Sequence, residues 1–132
     1  MFTIQQIDDA HSKVKSGADF PKYIQDIKQL GVVSFETYVF DSHTEYFGKN
    51  SYQIKSQAQY NDLIIADKSD KIRFLEYLKT HQQGQTDYLA FCGHCAETGV
   101  EKWIVSIDKM TCTYYDKAGN ELLAEAIPAL NN

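Results

Sequence analysis

Apolar residues recur with helical spacing at the start of the chain and with strand-like alternation soon after. Thr3 followed by Gln6 reads as a capping box, and Ile4, Ile7, Ala10, His11 and Val14 share one helical face until Gly17. Asp19 is placed to cap a second helix with Pro21 in its first turn. Its stripe is Phe20, Tyr23, Ile24, Ile27 and Leu30, and Gly31 stops it. Residues 32–40, VVSFETYVF, are β-branched and aromatic, and HTEYF after an Asp41-Ser42 turn predicts an antiparallel return. A third short strand is expected around Tyr52 to Lys55, and LIIA, within the otherwise unpatterned stretch 56–68, reads as a short buried strand.

The same order then returns. Asp67 or Ser69 opens a helix carrying Ile72, Leu75 and Leu78, which Gly84 closes; Thr86 starts another, with Tyr88, Phe91, Cys92 and Cys95 inward until Gly99. VEKWIVSID, a turn near Lys109, TCTYYD, a Lys117-Ala118-Gly119-Asn120 turn and ELLAEAI follow as strands. A constant offset of 68 residues, the separation of Gly31 from Gly99, aligns the two stretches without a gap. It sets Ile4 on Ile72, Ile7 on Leu75, Phe20 on Tyr88, Phe35 on Trp103, Val39 on Ile107 and Tyr46 on Tyr114. The pattern fits a duplicated α-α-β-β unit, residues 3–55 and 71–123; two αβ stretches that share a glycine stop by chance fit it too. The fold expected is α+β, helices packed on a mainly antiparallel sheet.

Length and composition narrow the classes. A chain of 132 residues suits one domain, 1–132, and nine tyrosines, seven phenylalanines and a tryptophan supply apolar mass enough to fold without a partner. With a net charge of −5 and no Lys/Arg run to follow a phosphate backbone, nucleic acid is not an expected partner. No segment approaches the roughly 20 apolar residues of a membrane span, and the acidic, amphipathic start is unlike a secretory leader, so a cytoplasmic protein is expected. Three cysteines, Cys92, Cys95 and Cys112, are too few and odd in number for a disulfide framework.

Cys92-Gly93-His94-Cys95 is the most suggestive chemical motif. The same four residues form the active site of protein disulfide isomerase, where a helix N-terminus lowers the first thiol's pKa. The thioredoxin context is missing: only 37 residues follow Cys95, Gly99 ends the helix one turn later, and the only later proline is Pro128. A zinc site would need further ligands, with Cys112 and either His94 or His43 the candidates to join Cys92 and Cys95. The 68-residue offset favours a third reading, because Cys92 falls on Ile24 and Cys95 on Ile27, inward positions of the second helix. Free cysteine packs as a small hydrophobe, and positions i and i+3 share a helix face. Both are therefore expected to be buried and reduced, with His94 more exposed.

Other candidates dissolve on inspection. His11, His43, His81 and His94 are scattered, and Asp8-Asp9 and DKSDK lie at helix starts, where carboxylates complement the macrodipole. Gly48-Lys49 lacks the spaced glycines of a phosphate loop. No catalytic residue, metal or cofactor is assigned, and a non-enzymatic role is the expectation. The aromatic residues Phe35, Tyr38, Phe40, Tyr46, Phe47, Tyr52, Trp103, Tyr114 and Tyr115 alternate onto both faces of the strands. Packing of the second face on the other repeat is expected; an exposed surface for a peptide or small ligand is the alternative.

Three segments carry a family resemblance: AHSKVKSGADFPKYIQDIKQLGV, HQQGQTDYLAFC and GVEKWIVSIDKMTCTYYDKAGNELLAEAIP, most specifically G-V-x-x-W followed by T-Y-Y-D-x-x-G-N. Over nearly its whole length the chain resembles the YbcV-like family of small bacterial and prophage proteins of unknown function, often labelled phage envelope protein. That resemblance implies no activity, cofactor or catalytic residue. The expected function is a small soluble binding or accessory protein of phage or mobile-element origin, with an unknown protein or small-molecule partner. The alternative is a thiol-redox or metal-binding protein using Cys92 and Cys95.

Overall fold

The computed structural model describes residues 1–15 and 19–128. Helix α1 spans Ile4–His11, and its capping box forms as expected, Thr3 and Gln6 bonding reciprocally. Gly17, the expected stop, lies outside the described residues. Helix α2 (Phe20–Leu30) ends on Gly31 at φ 109°. Strands β1 (Ser34–Tyr38), β2 (Thr44–Phe47) and β3 (Gln53–Lys55) follow. Then α3 (Lys71–Gln82), α4 (Tyr88–Glu97), β4 (Val100–Ser106), β5 (Thr111–Asp116) and β6 (Glu121–Ala126) repeat the order. Each half thus has three strands after its helix pair, the third being the short strand expected around Tyr52 to Lys55 and the ELLAEAI strand.

All six strands join in one antiparallel sheet of order β3-β2-β1-β4-β5-β6, so the architecture is α+β. The halves meet at the β1–β4 ladder, where Glu36 pairs with Ile104, flanked by Ser34 with Ser106 and Tyr38 with Lys102. Chain reversals also match at the 68-residue offset: φ is positive at Gly31 and Gly99, at Ser42 and Met110, and at Ser51 and Gly119.

Both helix pairs lie on one face of this sheet. Tyr23 of α2 bonds Tyr46, Phe74 of α3 packs 5.0 Å from Tyr114, and Phe91 of α4 packs 6.1 Å from Trp103. Because directly paired residues share a face, Phe35, Val105 and Cys112 look the same way, as do Thr37, Thr44, Trp103 and Tyr114. The core closes around Ile7, Ile24, Ile27, Val32, Val39, Phe74, Val100 and Ile107, each about 1% exposed or less.

Several expectations are corrected. In α3, Ile72 and Leu75 are exposed, while Phe74 and Leu78 face inward. KIRFLEYL carries two overlapping apolar stripes, and tertiary packing seats the larger aromatic. This helix opens at Asp70, whose carboxylate accepts from Arg73 N at 3.1 Å, rather than at Asp67 or Ser69. Tyr88, expected inward, is 46% exposed. LIIA forms no strand: Ile65 is buried, Ile64 is exposed, and the segment runs as a connection whose Leu63 N–H reaches Phe40 O at 2.7 Å. The second face of the sheet does not pack on the other repeat, because the two halves lie edge to edge within the sheet.

Candidate functional site

Residues pointing away from the helices on the sheet are set by the same register. Tyr38 pairs with Lys102 and Lys102 with Tyr115, giving a row across three central strands; Glu45, Glu36, Ile104 and Thr113 form the next row, and Phe47, Ser34, Ser106 and Thr111 the third. All are half-buried, shielded by strand neighbours, and no described helix covers them. Phe40, Tyr52 and Trp103 pack instead against the helix-covered core.

One end of this open face is organised around His43. His43 and Glu45 alternate into β2 on one face, and the turn before it, with Ser42 at φ 61°, folds the Asp41 carboxylate back onto His43. The imidazole Nδ1 lies 2.6 Å from Asp41 Oδ1 and Nε2 lies 3.3 Å from Glu45 Oε2, while the His43 N–H donates to Asp41 Oδ1 at 2.9 Å. Carboxylates only accept, so a ring nitrogen of His43 that carries a proton donates to its acidic neighbour. The His43 ring stacks on Tyr38, with centroids 4.7 Å apart and planes 5° off parallel. On the next strand, Lys102 Nζ donates to Glu36 Oε1 at 3.1 Å and stands 5.5 Å over the Tyr38 ring.

These contacts solve an electrostatic problem. Glu36 and Glu45 stand directly opposite each other, a destabilising placement for like charges. Lys102 neutralises the first; His43 and Gln53, which donates to Glu45 Oε1 at 3.1 Å, hold the second. Burial lowers the ammonium pKa of Lys102, but the adjacent Glu36 outweighs it and the net shift is upward. The Tyr38 hydroxyl is raised by burial and then by Glu36, with Lys102 opposing. Sequence reasoning passed over this group by treating His43 as a scattered histidine; the signal was the D-x-H-x-E alternation at 41–45.

The CGHC residues lie on the other side of the molecule's core. Asp87 caps α4 by accepting from Ala90 N at 2.8 Å, which places Cys92 beyond the first turn, where the helix dipole has faded. Cys92 and Cys95 are fully buried and Cys112 is 8% exposed; all three are free. Burial raises the Cys92 thiol, with the Tyr60 and Tyr88 hydroxyls pulling it partly back. Burial likewise holds Cys95 well above the ordinary range and pushes Cys112 up to about 12. His94 is half-buried and stacks on Tyr77 at 3.9 Å, and its Nδ1 has no hydrogen-bond partner among the described residues. Among the described residues, no three His, Cys, Asp or Glu side chains converge as a metal site requires.

Gly48-Lys49 belongs to the β2–β3 hairpin, where Gly48 lies against Phe2 and Tyr52. Two depressions, of about 170 Å³ beside Phe2 and Leu30 and about 240 Å³ beside Ala10 and Leu30, lie on the helix side, away from both the cysteines and the open face. No described helix is long and apolar enough to cross a membrane.

A family described as Protein of unknown function (DUF1398) matches residues 8–126. The chain belongs to this family. The DUF1398 match runs from the second half of α1 to the end of β6 and so takes in α2, α3, α4, all six strands, the His43 group and the three cysteines. No curated protein matches the chain.

Proposed function

We propose that this DUF1398 protein is a cytoplasmic, non-enzymatic accessory protein that binds a protein partner on the open face of its sheet. The observation that carries the reading is the uncovered row Tyr38, Lys102 and Tyr115, flanked by Phe47 and Ile104 and bordered by the His43 group. Tyrosine is enriched at interface centres, and the charge between Tyr38 and Tyr115 is already neutralised, Lys102 being paired with Glu36. A flat sheet suits a macromolecule better than a small ligand, which takes a concave site of roughly 300–1,000 Å³. Six strands about 4.8 Å apart and some five residues long present on the order of 500 Å², which fits a transient contact rather than an obligate dimer. The three segments resembling YbcV-like proteins support a phage or mobile-element origin.

A thiol-redox role would require an accessible, acidic Cys92, and that thiol is fully buried and raised. The matching reversals and the Glu36–Ile104 centre support descent of the two halves from one duplicated unit. The test of the binding reading is affinity capture from cells that make the protein, comparing the native chain with Tyr38→Ala/Tyr115→Ala and with an exposed helix-side control, Lys79→Ala. Partners kept by the control and lost by the face variant support it; partners kept by both contradict it.

A further inference from the structure

Cys92 is as buried as Cys95, yet only Cys95 belongs to the contiguous apolar core. The Cys92 thiol meets the hydroxyls of two less buried residues instead: Tyr88, one turn earlier in α4 and 46% exposed, and the half-buried Tyr60 of the connection after β3. We propose that residues 56–66 form a strap which opens without unfolding the sheet and thereby controls access to Cys92.

The strap's attachments are few and concentrated. Gln59 N–H donates to Asp41 O at 2.8 Å, Leu63 N–H to Phe40 O at 2.7 Å, and the Tyr60 hydroxyl to Val39 O, all on the β1–β2 tip. Ser56 N–H reaches Thr44 O at 2.9 Å, and Ala66 N–H reaches Ala96 O at 2.9 Å. Ile65 is its one buried side chain and Leu63 is partly buried against the core, while Gln57, Ala58, Gln59, Asn61, Asp62 and Ile64 are exposed. Segments with little buried apolar surface and solvent-exposed hydrogen bonds open at lower free energy than the body of a domain. The far end is pinned, since Asp70 N–H bonds Thr98 O at 2.9 Å and the backbone of Lys68 and Ser69 passes close over Gly99. Cys95 and Cys112 are covered by the core itself and gain nothing from such an opening.

The opening also reaches the other face. The tip that holds the strap carries Tyr38 and the Asp41–His43 pair, and Ser42 Oγ ties it to the Tyr88 hydroxyl at 2.6 Å. A group attached to Cys92 would displace Tyr60 and Tyr88 and so disturb that tip.

Iodoacetamide labelling of the native full chain, read cysteine by cysteine by mass spectrometry, tests the strap independently of any partner. In the reaction the thiolate displaces iodide, the S–C bond forms as C–I breaks, and the thiol proton passes to buffer. Cys92 is expected to react about ten-fold or more faster than Cys95 and Cys112, at a rate insensitive to urea below the unfolding transition. Tyr60→Phe should accelerate Cys92 alone. Hydrogen exchange of the native chain gives a second readout, with the Gln59 and Leu63 amides exchanging faster than those of β1 and β4. Three cysteines reacting at one urea-dependent rate, equal acceleration of all three in Tyr60→Phe, or strap amides as protected as the central strands would overturn the proposal.

Discussion

The two halves of the sheet follow the same order of elements and differ in what they bury. Positions 68 apart hold Tyr23 and Phe91, Ile24 and Cys92, Ile27 and Cys95, Thr44 and Cys112, and Thr37 and Val105, every one buried. In the first half the buried hydroxyls pair with each other, Thr37 with Thr44 at 2.9 Å and Tyr23 with Tyr46. The second half replaces much of that hydrogen bonding with thiols and hydrocarbon, while the reversals at Gly31/Gly99, Ser42/Met110 and Ser51/Gly119 stay in place. Backbone geometry is therefore the more constrained of the two, and the cysteines sit where the other half needs packing volume.

If that equivalence holds, truncation should scale with the volume removed. Ile24→Ala and Ile27→Ala are each expected to cost about 2–5 kcal/mol, and Cys92→Ala with Cys95→Ala about 1–3 kcal/mol together, read from urea unfolding. A double cysteine variant with unchanged stability would break the comparison.

Alkaline pH adds a contrast at one matched position, Cys112 against Thr44. Between the ordinary thiol value of 9.0 and the value of about 12 for Cys112, the unfolded chain has released a proton that the folded chain retains. Stability is therefore fully present below pH 9 and falls as pH rises, by about 1.4 kcal/mol per pH unit for that thiol and about 4 kcal/mol in all. Cys112→Thr, which installs the residue found at Thr44, should remove this share of the alkaline loss.

Glycine substitution sharpens the contrast further. A Cβ on Gly99 would stand 2.8 Å from Ser69 Cα and 2.9 Å from Lys68 O, whereas one on Gly31 meets only Phe2 Cδ2 at 3.7 Å. Both pay the left-handed penalty, so Gly99→Ala is expected to cost about 3 kcal/mol or more and Gly31→Ala about 1–2 kcal/mol. The smallest effect is at the third reversal. Ser51, at φ 64°, occupies the place of Gly119, and Ser51→Gly should raise stability by about 1 kcal/mol.

Local signals in the sequence were legible where one residue decides the geometry, at the Thr3–Gln6 box and the helix stops at Gly31 and Gly99; the start of α4 is one residue later than expected, with Asp87 rather than Thr86 as its cap. The phase of α3 was not, because Ile72, Phe74, Leu75 and Leu78 supply two apolar faces and only packing against Tyr114 selects one. Burial of the CGHC cysteines was legible through their match to Ile24 and Ile27. The open face was not: alternation reveals that a strand has two faces but not which receives a helix. Glu36 and Lys102 are 66 residues apart in the chain, so their pairing appears only once β1 and β4 are joined.

On the proposed reading, this chain binds a partner through its uncovered sheet face and its cysteines serve as packing. The most direct test is quantitative partner capture with three forms: the native chain, Cys92→Ala/Cys95→Ala, and Tyr38→Ala/Tyr115→Ala, each first shown to be folded by circular dichroism. The account predicts capture retained by the cysteine variant and lost by the face variant. Capture lost with the cysteines and retained without the two tyrosines would contradict it.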